Sequence, residues 1–156
     1  MSRTTYDNKA LTKLTKQLEK LSKTSIQVGI FSDRATRRGT SGVDNPTLGA
    51  KHEFGVGVKP RSWLRMPLGP RFKRRLDAMG SGQFIEALAE DGPKGVTDLI
   101  SAEAESQIQD AFDSGGFGAW PKWEPGYTNA TGRILDDTSQ MRNAVSSRIV
   151  SGGGAA

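Results

Sequence analysis

The 156-residue chain has no cysteine and a single histidine, His52. Disulfides, thiol nucleophiles and thiolate-bound metals are therefore excluded, and a cysteine-free chain suits a reducing compartment. One imidazole rules out any metal site that needs two. His52-Glu53 matches the first two positions of a zinc-protease helix motif, but Val56 stands where the second histidine belongs. No serine lies in a G-x-S-x-G elbow that would use His52 as its base, so His52 reads as a satisfied surface or helix-end residue. Long apolar runs are missing as well. Nothing approaches the roughly 18 to 20 residues that a membrane span requires. The opening Met1-Ser2-Arg3-Thr4-Thr5-Tyr6-Asp7 carries no signal-peptide core. The expectation is a chain made in a cytoplasm, with no membrane partner, that leaves it only if a particle carries it out.

Apolar residues make up 35% and aromatics 7%, against 19 glycines and 7 prolines. That balance predicts a small core with generous loops: one structural domain over residues 1–150 and a disordered tail over 151–156. The net charge of +5 conceals a division. Residues 1–75 hold 17 Lys+Arg against 5 Asp+Glu, and residues 76–156 hold 5 against 12. A basic first half fits either a nucleic-acid footprint or one of two complementary surfaces that meet between copies.

Leu11, Leu14, Leu18 and Leu21 mark one face of a helix over residues 8–22, with Lys9, Lys13, Lys16, Lys20 and Lys23 opposite. Residues 25–31 alternate and are β-branched, which predicts a strand. Residues 32–44 read as an exposed loop bearing Arg34, Arg37 and Arg38. Asn45-Pro46 then supplies a cap and a first-turn proline for a short helix ending at Phe54-Gly55. Val56 and Val58 form a short extended piece. Pro60 and Pro67 keep the next segment from being a regular helix or a central strand. Helical pieces follow over 70–79 and 83–90, separated by Gly80-Ser81-Gly82. The longest helix opens at Pro93 and runs to about Phe112, burying Val96, Ile100, Ala104, Ile108, Ala111 and Phe112. Glycines 115, 116 and 118 stop it. Residues 119–132 form a loop with Trp120, Trp123 and Tyr127, and residues 138–147 turn into a final strand through Val145, Ile149 and Val150. The fold class expected is α+β, an antiparallel sheet of about four strands packed by the N-terminal helix and the long helix, with extended loops.

Catalytic constellations are not visible. Gly92-Pro93-Lys94-Gly95 and Gly80-Ser81-Gly82 lack phosphate-loop spacing. Asp136-Asp137, without a third acidic neighbour, reads as turn and capping chemistry before it reads as a cation site. Trp120-Pro121-Lys122-Trp123 places one lysine between two tryptophans and Glu124 behind them, which favours anchoring onto a core or a neighbouring subunit over stacking on bases. No cofactor is called for, and nothing marks an enzyme.

Three stretches carry a resemblance. Ala50-Lys51-His52-Glu53-Phe54-Gly55, followed by Pro60-Arg61-Ser62-Trp63-Leu64-Arg65, resembles the A-x-x-x-E-F-G and P-x-R-x-[FW]-L-R steps of tailed-phage tail-completion and virion-morphogenesis proteins, with one residue fewer between Ala50 and Glu53 and none between Pro60 and Arg61. Gly118-Ala119-Trp120-Pro121, with Thr128 and Thr131, is similar to that family's Gly-x-Trp-Pro and threonine-bearing loop. Ile134-Leu135-Asp136-Asp137-Thr138, leading to Met141 and Val145, is similar to its I-L-x-D-T-G-x-L ending, with Ser139 in place of Gly and Met141 in place of Leu.

The resemblance implies a non-enzymatic ring, hexameric by analogy, at the head-to-tail junction of a virion. It would be assembled in the host cytoplasm beside connector or stopper proteins and tail-tube or tail-terminator proteins. The segments it marks make Phe54, Gly55, Pro60, Arg61, Trp63, Leu64, Trp120 and Trp123 candidates for contact with a neighbouring copy. The alternative is a basic nucleic-acid-binding protein using Arg34, Arg37, Arg38, Arg71, Lys73, Arg74 and Arg75. In the ring reading, DNA contact is transient and non-specific.

Overall fold

Leucine spacing and the absence of glycine or proline produce the first element, α1, Asn8–Ser22. A computed structural model describes residues 8–36, 42–127, 129 and 131–152. The expectations placed on Arg37, Arg38 and Thr128, and on the tail beyond residue 152, lie outside the described residues. After a turn closed by the Lys23 amide on the Lys20 carbonyl (3.2 Å), the β-branched run forms β1, Thr24–Ile30. A short 3-10 turn, Ser32–Arg34, follows.

The next helix, α2, Asn45–Phe54, carries Pro46 in its first turn and is capped by Asp44, whose carboxylate accepts the Thr47 amide at 2.7 Å. The expected cap, Asn45, is instead buried, with its amide directed to the carbonyls of Arg34 and Thr36, 3.3 Å each. The helix ends on Gly55 in the left-handed region (φ 73, ψ 32). Pro60 packs 3.1 Å from where a Cβ would stand on Gly55, so a side chain is disfavoured there twice over.

The longest helical run, α3, spans Pro70–Asp113 and is broken by non-helical backbone at Gly80 (φ 74, ψ 163) and Gly92 (φ 64, ψ −150). It is thus three helical segments, 70–79, 81–91 and 93–113. Proline at 93 opens the third for the reason expected from sequence, since a first-turn residue needs no amide donor. A short α4, Gln140–Asn143, occupies the predicted turn. The chain ends in β2, Val145–Ser151, antiparallel to β1, with Ile30 opposite Val145, Val28 opposite Ser147 and Ile26 opposite Ile149. Ser151 pairs with Thr24, one residue into the stretch expected to be disordered.

The architecture is α+β. The sheet, however, has two strands among the described residues, not about four. Val56 and Val58 do not form a strand. Gly57 between them adopts φ 72, Pro60 follows, and both valines are exposed, a combination that offers neither a ladder nor a buried face. Two strands alone are marginal. This pair is carried by the last segment of α3: Val28, Ile30 and Val145 lie on Ile108, Ala111 and Phe112. The Ser147 hydroxyl also donates to Glu105 at 2.6 Å.

Phe112 sits at the centre, fully buried, between Trp63 (ring centroids 6.2 Å) and Trp120 (5.7 Å, edge to face). Edge-to-face contact matches the positive ring edge to the negative face. Val96, Ala104, Ile108, Ala111 and Phe112 are buried as predicted, while Ile100 is half-buried. In contrast, α1 buries none of its residues. It touches α3 near Gln17 and Gly92 and does not use its leucine row to cover the sheet.

Candidate subunit interface

Glu53 is the organising residue of the segment marked by the resemblance. It is 4% exposed at the end of α2. Its carboxylate accepts the Ser62 hydroxyl (2.8 Å), the Leu64 amide (2.9 Å), the Arg65 amide (3.3 Å) and Arg65 Nε (2.7 Å). Burial alone would raise the Glu53 pKa. The bonds from Arg65, Leu64 and Ser62 outweigh it and hold the carboxyl below its ordinary value. The spacing Glu53…Ser62-x-Leu64-Arg65 is therefore a loop clamp, with one carboxylate fixing a proline-bounded segment that has no ladder of its own.

The clamp sets Trp63 against Gly49. The indole N–H donates to the Gly49 carbonyl at 2.8 Å, and a Cβ on Gly49 would lie 2.9 Å from the ring. Trp120 is drawn into the same node, its indole N–H donating to the Ser62 carbonyl at 3.1 Å. It closes onto Gly116, where φ is 67 and a Cβ would collide with the ring at 2.3 Å. Arg61 completes the junction by donating from Nε to the Pro121 carbonyl at 3.1 Å. Leu64 packs half-buried on the core. The third stretch is fastened separately. Arg142 grips Asp113 with two donors, 2.7 and 2.9 Å, and reaches buried Asp136 at 3.5 Å, with Arg133 at 3.8 Å from the same carboxylate. Asp136 is accordingly an ion-pair residue of the turn. No cluster of three or more potential metal ligands occurs among the described residues.

The eight candidate contact residues thus divide. Trp63 and Trp120, 4% and 6% exposed, use their indoles inside the chain. Gly55 and Arg61 shape the backbone around them. The outward side of the node consists of Phe54, Pro60 and Trp123, with Val56 and Val58, which sequence reasoning treated only as an extended piece. Phe54 is 63% exposed, with the Arg65 guanidinium over one ring face at 4.7 Å. Trp123 meets Tyr127 edge to face at 5.7 Å. Together with His52, Leu48, Val58 and Arg61 they line a cleft of about 730 Å³. His52 stands in its wall with Nδ1 buried and unpartnered. Burial, and secondarily the nearby Arg61 charge, push its pKa down to about 4.

The candidate DNA-facing residues do not form one free patch. Arg75 is committed to Glu103, Asp110 (2.7 Å), Gln107 (3.1 Å) and Ser106 (3.0 Å). Lys73 pairs with Asp77 at 2.7 Å, and Arg71 lies over the Phe117 ring at 4.1 Å. Arg34 and Arg74 remain exposed.

Further uncovered apolar residues lie elsewhere. On α1, Leu11, Leu14 and Leu18 are 63%, 42% and 48% exposed, and on α3 Ile85 is 65% exposed. The leucine row was legible as a face, but its exposure was not, because spacing records a face and not what covers it. Ile85 carried one signal, a short helical piece bounded by glycines. No helix among the described residues is long and apolar enough to cross a membrane. No protein-family model matches the chain, and no curated protein or solved structure matches it.

Proposed function

We propose that the chain is a structural, non-enzymatic component of a tailed-phage particle, a tail-completion or neck protein that forms a ring at the head-to-tail junction. The observation that carries this reading is the uncovered leucine row of α1. A helix with three exposed leucines on one stripe marks a surface that another molecule completes. The resemblance supplies the class of assembly, and its stretches at residues 50–65 and 118–121 meet in one packed node around Glu53, Trp63 and Trp120. Such a ring, hexameric by analogy, would sit among connector or stopper and tail-tube or tail-terminator proteins. DNA would pass through it with transient, non-specific phosphate contact.

The test is location. A tagged chain carried in purified particles is expected to label the neck between head and tail; label absent from particles, or spread over the capsid, rejects the reading. The nucleic-acid alternative retains the exposed lysines of α1, Arg34 and Arg74. Micromolar or tighter DNA binding with a steep salt slope would favour it.

A further inference from the structure

Which surface receives the leucine row of α1 can be narrowed by charge. Four exposed apolar patches are available on a second copy. Phe54, Val56 and Val58 are flanked by Lys51, Lys59 and Arg65, of which Lys59 pairs with Glu124 and Arg65 with Glu53. Tyr127 lies in the cleft with Lys59, Arg61, Glu124 and Asp137, and Ile149 adjoins Arg148, which pairs with Asp33. None of these three patches carries an acidic excess to meet α1, whose Lys9, Lys13, Lys16 and Lys20 outnumber the single Glu19. Pairing α1 with α1 opposes like charges. The fourth patch differs. The segment 81–91 of α3 exposes Ile85, carries Glu86, Glu90 and Asp91, and holds no Lys or Arg. By charged residues, α1 is +3 and this segment is −3.

The segment is also shaped for docking. Gly80 and Gly92 interrupt α3 on either side of it, so it is a separate short helix whose Phe84, Ala87 and Leu88 are half-buried while Ile85 and Ala89 face outward. Ile85 and Ala89 stand four apart, and on α1 Leu14 and Leu18 do the same. That is the row geometry with which two helices pack at about 8–10 Å. The lysines lie to the far side of the leucine row. They act through the summed field within a Debye length of about 8–10 Å.

We propose that α1 of one copy docks by Leu11, Leu14 and Leu18 onto segment 81–91 of the next copy, around Ile85. Two different surfaces then meet at each junction. That is the heterologous contact from which a ring closes, so this pairing rests on the ring reading above.

The absence of cysteine makes the test direct. Leu14→Cys and Ile85→Cys are placed in separate chains, mixed, assembled and oxidised. Both sites are exposed, so neither variant disturbs the core. A disulfide needs Cα atoms about 4.4–6.8 Å apart, and only an intermolecular contact can join the two chains. The expected result is a linked dimer from the mixture, a ladder from the double variant, and no link from either variant alone. Dimers of Leu14→Cys alone would mean that α1 pairs with itself, which overturns the proposal. An oligomer or particle that contains the chain but gives no 14–85 link overturns the pairing and leaves the ring intact. A chain that sediments as a monomer and is missing from particles overturns both.

Discussion

Glu53 shows how one side chain substitutes for regular structure. The segment 60–65 has no strand partner, and its amides at Leu64 and Arg65 are satisfied by a carboxylate from α2. Glu53→Gln keeps the shape and removes the charge, and charge-assisted bonds are about twice as strong as neutral ones. The substitution is expected to lower stability by about 2 kcal/mol, read from the urea midpoint, whereas an unchanged midpoint would remove Glu53 from this role. Ser139, which stands where the resembled family has glycine, adopts φ 54. A left-handed L-residue is strained by about 1–2 kcal/mol, partly offset by the greater freedom glycine has when unfolded. Ser139→Gly is therefore expected to stabilise the chain by roughly 0.5–1 kcal/mol, seen as a higher melting temperature.

His52 supplies a pH dependence. Its pKa is depressed to about 4, so the unfolded chain takes up a proton near 6.5 while the folded chain does not. Stability present above about pH 6.5 is lost as pH falls toward about 4. Glu53, held below its ordinary value, adds a second loss at lower pH. Denaturant titrations across that range are expected to show the first slope flatten in His52→Gln and the second persist.

At the scale of elements, α1 and the third segment of α3 were readable because leucine periodicity and Pro93 are local signals. Both observed boundaries lie within a residue or two of those read from the sequence. The strand pair was half-readable: β-branched alternation located β1 and β2, but the sheet of about four strands was not found, and the extended piece at Val56 and Val58 is interrupted by Gly57 and followed by Pro60. Asn45 was misread as a cap because cap preference does not distinguish it from Asp44, and only its bonds to the carbonyls of Arg34 and Thr36 decide between them. The clamp at Glu53 was invisible for a different reason, since its partners, two of them backbone amides, lie 9 to 12 residues away. The face that α1 presents follows from contacts the sequence does not encode locally. Replacing Leu11, Leu14 and Leu18 with glutamine, which keeps helix propensity, is expected to change the stability of the isolated chain by about 1 kcal/mol or less. It should also abolish self-association in sedimentation. A large loss of stability with association intact would mean that the row is covered within the chain.

For the whole molecule, the core of Phe112, Trp63 and Trp120 is small and central, and the charge is divided, +12 over residues 1–75 and −7 over residues 76–156. The packed centre uses up most of the residues that carry the resemblance. The parts left for the proposed assembly are therefore peripheral: α1, segment 81–91 and the rim around Phe54 and Trp123. Arg75 and Lys73 are already paired with carboxylates within the chain, so a polyanion would meet the lysines of α1, Arg34 and Arg74 instead. The central claim, a ring that joins head to tail, is tested most directly by negative-stain imaging of particles assembled with and without this protein. The account predicts filled heads and free tails that fail to join in its absence, or joined particles that lack a neck layer. Normal particles formed without it would contradict the account.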